Sequence, residues 1–161
     1  MNATGQLTAR PASPEDDEFR YQVYAASRAA EVTGFGWPAA QQDAFLRMQY
    51  RARAQSYAAY PAAEHSILLL GDVPAGAAIV CRTPAEVRLV DIALLPDFQN
   101  RGLGGRWISA LIAEARSLSL PLRLSVARGN PALRLYERLG FARTEDGPMY
   151  IEMQHHGKEH Q

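Results

Sequence analysis

The chain carries a single cysteine, Cys81, in 161 residues, so it can close no internal disulfide and offers no cysteine-built zinc site. It carries no net charge either. Seventeen basic and seventeen acidic residues cancel, which speaks against nucleic-acid binding or docking on an anionic membrane. No apolar run approaches the ~20 residues that a membrane-spanning helix needs. Met1 to Arg10 lacks the apolar centre of a secretory leader, so a cytoplasmic protein is expected. Repeats, linkers and low-complexity segments are missing too. What remains is an ordinary globular composition, 47% hydrophobic, long enough to bury one core. One domain is expected over residues 1–153, followed by a polar, disordered tail over residues 154–161.

The most informative stretch runs from Glu86 to Ala115. Val87 to Leu95 is rich in branched apolar residues and reads as a buried strand that Pro96 stops. Leu103, Trp107, Ile108, Leu111, Ile112 and Ala115 recur at helical spacing. Between them lies Gln99-Asn100-Arg101-Gly102-Leu103-Gly104-Gly105. A glycine-rich turn leading from strand to helix aims free backbone N–H groups and the positive end of the helix dipole at one spot. Gly102 and Gly104 leave room for a phosphate against the backbone, with Arg101 and Arg106 adding charge nearby. The pattern is a diphosphate cradle. No Lys follows the glycines, as a nucleotide-hydrolase phosphate loop requires. The third glycine of a dinucleotide fingerprint is replaced by Trp107.

The spacing Gln/Arg-x-x-Gly-x-Gly/Ala is met by Gln99, Gly102 and Gly104 after Asp91-Ile92-Ala93-Leu94-Leu95-Pro96-Asp97. It resembles the coenzyme A loop of the GNAT superfamily of N-acetyltransferases. A second stretch, Asn130-Pro131-Ala132-Leu133-Arg134-Leu135-Tyr136 with Gly140-Phe141, resembles the later signature of the same superfamily. The resemblance spans about Ala75 to Met153. It departs at one place: the asparagine that often stands seven residues before the tyrosine is here Gly129, with Asn130 only six before.

The rest of the chain fits one α/β domain. Leu7 to Arg10 is a short first strand, and Ser13-Pro14-Glu15-Asp16 opens a helix to about Val32, with Ser13 as N-cap. Phe19, Val23 and Ala26 or Ala30 are expected to face inward. A break over Thr33 to Pro38 precedes a second helix to about Ala59, with Phe45, Met48, Ala52 and Tyr57 on its inner side. Ser66–Leu70 and Ala75–Arg82 form a hairpin over Gly71 to Pro74. Leu122–Ala127 is a strand parallel to the central one, since a helix crosses between them. A short helix over Pro131–Leu139 ends at Gly140, and a hairpin of Phe141–Glu145 and Met149–Met153 closes the chain. The resemblance implies an α/β (α+β) GNAT-like domain: a mixed, mostly antiparallel sheet of six or seven strands, flanked by about four helices, with splayed central parallel strands.

It also implies acetyl-CoA as cofactor, with Gln99, Asn100, Arg101, Gly102, Leu103, Gly104 and Gly105 around its diphosphate. Ala93, Leu94 and Leu95 would present free backbone groups to the pantetheine, Leu94 N–H would polarise the thioester carbonyl, and Asn130 would reach the cofactor. Tyr136 stands where the family has its usual acid, and a phenol keeps its proton at neutral pH. The base is open between Asp91 and Glu152. His65 is expected to be exposed, and His155, His156 and His160 to lie in the tail. Trp37, Tyr50, Tyr57 and Tyr60 are packing residues or walls of an acceptor pocket. No metal site is expected.

The leading expectation is direct transfer of an acetyl group to a primary amine of a small molecule or peptide, in a ternary complex, by a monomer or homodimer. A non-catalytic acyl-CoA-binding or sensing domain stays open, as does transfer of another acyl group or to another acceptor.

Overall fold

The computed structural model describes residues 5–155. Its elements are β1 (Leu7–Pro11), α1 (Asp17–Thr33), α2 (Ala39–Ser56), β2 (Ala63–Leu70), β3 (Val73–Arg82), β4 (Val87–Leu94), α3 (Leu103–Ser117), β5 (Leu122–Ala127), α4 (Ala132–Arg138), β6 (Ala142–Asp146) and β7 (Tyr150–His155). The strands form one sheet in the order β1-β2-β3-β4-β5-β7-β6. Every neighbouring pair is antiparallel except β4 and β5. That exception follows from α3, which carries the chain across the sheet between them. The expected mixed, mostly antiparallel fold is the observed one.

The main core lies between the sheet and α3 with α4. Leu103, Ile108, Leu111, Ile112 and Ala115 of α3 are buried, and Ile108 to Ala115 pack on Val87, Leu89, Leu122, Leu124, Ile151 and Met153. Leu103 joins a neighbouring cluster with Leu7, Leu68, Ala75 and Ala78. Two helix ends close by the same device, in which the two residues after the C-cap donate back to carbonyls of the last turn. At α4, Gly140 N–H reaches Glu137 O and Phe141 N–H reaches Tyr136 O, both within 3.1 Å. At α3, Ser119 N–H reaches Arg116 O and Leu120 N–H reaches Ala115 O, both at 3.0 Å. Gly140 has φ +102°, while Ser119 takes φ +57° at a cost that glycine would not incur.

The other sheet face carries α1 and α2, and here several expectations are corrected. The inner face of α1 is Tyr21, Val23, Tyr24 and Val32, whereas Ala30 is exposed. On α2, Leu46 is buried, Ala52 is exposed and Met48 is 55% exposed. The α1–α2 contact is built from tyrosines: Tyr50 packs on Tyr21 and Tyr24, each with ring centroids 5.6 Å apart. The expected stripes left out Tyr21 and Tyr24, whose amphipathic rings make this face. Ser13 is followed by a single 3-10 turn, Pro14–Asp16, before α1 begins. There the Asp16 carboxylate accepts from Ser13 N–H at 2.8 Å and from Arg10 at 2.8 and 2.9 Å. β2 begins at Ala63, which takes His65 into the sheet. Its Nδ1 lies 2.5 Å from Arg20 Nη2, and burial, then Arg20, hold its pKa below the usual imidazole value. β7 continues to His155, whose ring packs on Phe141 at 5.4 Å. His156 and His160, with the rest of the expected tail, lie outside the described residues. Among the described residues no helix is long and apolar enough to cross a membrane, and no group of His, Cys, Asp or Glu could hold a metal ion.

Candidate active site

The site begins where β4 ends. Pro96 lacks the N–H a strand would use, and residues 96–98 turn as a 3-10 segment. Gln99 then folds back, donating from Nε2 to Leu94 O at 2.9 Å. Asn100 and Gly102 take left-handed backbone, φ +60° and +77°, and Gly102 is the N-cap of α3. No side chain caps that helix. The first hydrogen bond from its backbone is Arg106 N–H to Gly102 O at 3.1 Å. Consequently the amides from Asn100 through Gly105 have no acceptor among the described residues. Free backbone amides at a helix start are the donors from which an anion cradle can be built.

The arginines serve its frame. Arg106 donates from Nε to Gly5 O at 2.9 Å and from Nη2 to Arg101 O at 3.2 Å. Arg101 donates to Asp97 O at 3.1 Å and lies over the Phe98 ring. The glycines differ in what requires them. Gly102 needs its positive φ. At Gly104 a Cβ would meet only Leu94 Cδ1, at 3.8 Å, and at Gly105 only Leu135 Cδ1, at 3.5 Å. The fold itself could accept alanine at both, so their missing side chains matter to the space outside.

Beside the cradle the sheet opens. β5 pairs with β4 only over Val87–Leu89 against Leu122–Leu124, then continues against β7 alone. At the parting point β4 bulges. Ile79 pairs with Asp91 but Val80 with Leu89, leaving Val90 as the extra residue. The bulge switches which positions face α3, from Val87 and Leu89 before it to Ile92 and Leu94 after it. Asp91 thereby points to the α1–α2 side.

The bulge and register also sort the backbone groups. Leu95 N–H, expected to be free, donates to Ala75 O at 2.8 Å. Because strand groups alternate in direction, Ala93 faces β3 as well, while Ile92 and Leu94 face the gap. Of the expected trio, only Leu94 offers its N–H to the opening.

Tyr136 lies across the gap on α4. It is 8% exposed, packs edge-on against Phe141 at 5.7 Å, and its hydroxyl has no hydrogen-bond partner among the described residues. Burial, reinforced by the Asp91 charge, pushes its pKa up to about 12. Asn130 has a local task, its Oδ1 accepting from Ala132 N–H at 2.9 Å at the start of α4. Both candidate bases are engaged. Glu152 is paired with Arg88 at 2.5 Å, and Asp91 with Arg53 at 2.7 Å. Arg53 was not foreseen in the sequence. Its guanidinium lies 4.9 Å from the Tyr24 ring centroid and 5.1 Å from that of Tyr57. The spacing of four between Arg53 in the last turn of α2 and Tyr57 just past its end was the available signal. Tyr50 joins the α1–α2 packing, and Trp37 stacks in an aromatic group with Phe35 and Phe45. A cavity of about 240 Å³, lined by Asp17, Tyr21, Arg47, Tyr50, Arg51 and Ala54, separates parts of α1 and α2.

The profile of the acetyltransferase (GNAT) family matches residues 20–141, from α1 through the signature of α4. The chain belongs to the GNAT acetyltransferase family. Solved structures share its fold. The PaiA N-acetyltransferase of Thermoplasma acidophilum, solved in complex with coenzyme A, is 17% identical with a TM-score of 0.68, over 93% of this chain and 98% of that one. The ribosomal-protein-S18-alanine N-acetyltransferase of Escherichia coli is 23% identical with a TM-score of 0.64, over 96% of each chain. YncA of Salmonella typhimurium, a putative acetyltransferase solved with acetyl-CoA, is 22% identical with a TM-score of 0.58, over 99% of this chain and 96% of that one. A search of curated proteins gives no match. The free amides of 100–105, the strand gap and Tyr136 of this GNAT protein all lie within the residues that the family profile matches.

Proposed function

We propose that this protein is an acetyl-CoA-dependent N-acetyltransferase that passes the acetyl group directly to a primary amine in a ternary complex. The observation that carries the reading is the run of unpartnered amides from Asn100 to Gly105, set beside a strand whose Leu94 N–H faces an open gap. The residues fit the cofactor. Amides 100–105 and the α3 dipole would hold its diphosphate, with Gly104 and Gly105 clearing the approach, and Ile92 and Leu94 would meet the pantetheine amides. Bound there, acetyl-CoA supplies an activated acyl thioester. Leu94 N–H is the donor for the thioester carbonyl oxygen. Asp91, directly or through a water, would take the proton that the acceptor ammonium must lose, and Tyr136 would supply a proton to the coenzyme A sulfur as the amine displaces it. Burial keeps the Tyr136 phenol protonated across the working pH range, and at the same time makes it a weaker proton donor than a free phenol.

A second reading, an acyl-CoA-binding domain without turnover, draws on the engagement of both Asp91 and Glu152 with arginines. Thiol release from acetyl-CoA over a panel of amines separates the two, with calorimetry reporting cofactor binding. Binding without thiol release from any amine would favour the second. Product mass distinguishes acetyl transfer to nitrogen from transfer of a larger group or to oxygen.

A further inference from the structure

The ion pair at the vertex of the strand gap bears on which amine the site takes. Asp91 lies three residues before Leu94, roughly 10 Å along the strand, on the face opposite α3. The Arg53 guanidinium lies against the Tyr24 and Tyr57 rings and meets it with Nη2 2.7 Å from Oδ2. Both side chains keep a little under a third of their surface open, 29% and 28%. A guanidinium has five N–H donors in a flat fork, so this arrangement leaves donors over for a second anion.

We infer that the acceptor is zwitterionic, an amino acid whose ammonium meets Asp91 while its carboxylate meets Arg53. The inference rests on the N-acetyltransferase reading and names the substrate class of that same site. Charge accounting favours it over a simple amine. An acceptor carrying only an ammonium meets a pair that is already neutral, with the fixed Arg53 charge repelling it. Drawing Asp91 away would leave a guanidinium half-buried between two tyrosine rings without its carboxylate, and separating such a pair is strongly unfavourable. An amino acid answers both charges at once. Its ammonium and carboxylate are joined through a single carbon, and the two protein groups are in direct contact. The Tyr24 and Tyr57 rings fix the guanidinium plane, so the carboxylate meets a pre-set fork.

The test compares matched acceptors that share one side chain: an amino acid, its carboxamide and its decarboxylated amine, each assayed by thiol release from acetyl-CoA. The amino acid is expected to exceed both others in kcat/KM by at least tenfold. Arg53→Gln should shrink that ratio at least tenfold, mainly through a higher KM for the amino acid, and Arg53→Lys should restore part of it. Acetyl-CoA affinity, read by calorimetry, should be the same in all three proteins, since Arg53 is remote from the cradle. Equal or better turnover of the decarboxylated amines, or a ratio indifferent to Arg53→Gln, would overturn the inference and leave the N-acetyltransferase reading standing. Acetyl-CoA binding with no turnover of any acceptor would overturn it together with the catalytic reading. Absence of acetyl-CoA binding would remove the function reading at its base. If Arg53→Gln fails to fold, the wild-type ratio and Arg53→Lys decide the matter.

Discussion

Gly104 separates what the fold needs from what the ligand needs. It sits in the first turn of α3 with no positive φ, and an added Cβ would meet only Leu94 Cδ1 at ordinary contact distance, 3.8 Å. Glycine within a helix costs about 0.5–1 kcal/mol relative to alanine. Gly104→Ala should therefore leave the protein as stable or raise its Tm by roughly 2–4 °C, the shift that about 1 kcal/mol produces at this size. The same methyl stands among the free amides of 100–105 and props the diphosphate away from them. Gly104→Val, bulkier and β-branched, should weaken acetyl-CoA binding by at least tenfold, about 1.4 kcal/mol, with alanine in between. Calorimetry with acetyl-CoA, beside thermal unfolding of each variant, reads both quantities. Unchanged affinity in a folded Gly104→Val protein would refute the placement of the diphosphate. A large Tm loss in Gly104→Ala would show that the glycine serves packing instead.

Tyr136→Phe keeps the ring against Phe141 and removes a hydroxyl that has no partner among the described residues, so Tm and cofactor affinity should hold while kcat falls at least roughly tenfold when chemistry is rate-limiting. With the phenol pKa raised to about 12, the wild-type kcat should show no loss of this acid as pH rises toward 10, and a falling limb near pH 8 that Tyr136→Phe abolishes would contradict the assignment. Ser119→Gly removes a left-handed cost of about 1–2 kcal/mol and adds a chain-entropy cost of about 0.5–1 kcal/mol, so it should stabilise by up to about 1 kcal/mol in denaturant unfolding. The bond from Arg10, then that from Ser13 N–H, holds the Asp16 pKa below its ordinary value. Its contribution is therefore complete above the unfolded value near pH 4 and is lost as pH falls below it. Stability profiles of wild type and Asp16→Asn should converge in that acid range, and parallel profiles would exclude the linkage.

Much of the architecture was legible because its signals are local. Pro96 ends β4 wherever β4 lies, Gly102 permits the turn into α3, and Gly140 closes α4, each through the backbone freedom of one residue. The apolar stripe of α3 was readable because its partners are aliphatic on both sides. The run of free amides before α3 could be located from Gln99, Gly102 and Gly104 for the same reason: amides at a helix start are free whatever else the chain does. Tertiary structure decided the rest. The bulge at Val90 arises from the pairing of β4 with β3, so the face of Asp91 and the engagement of Leu95 N–H could not be read from β4 alone. Tyr21 and Tyr24 were missed as core residues because a tyrosine is buried or exposed according to what its neighbours offer the ring and the hydroxyl. Arg53 was missed because a long cation on a helix finds its carboxylate only when the sheet beneath is in place. Local backbone chemistry fixes where elements start and stop, whereas the pairing of long polar side chains waits for register and packing to bring distant parts of the chain together.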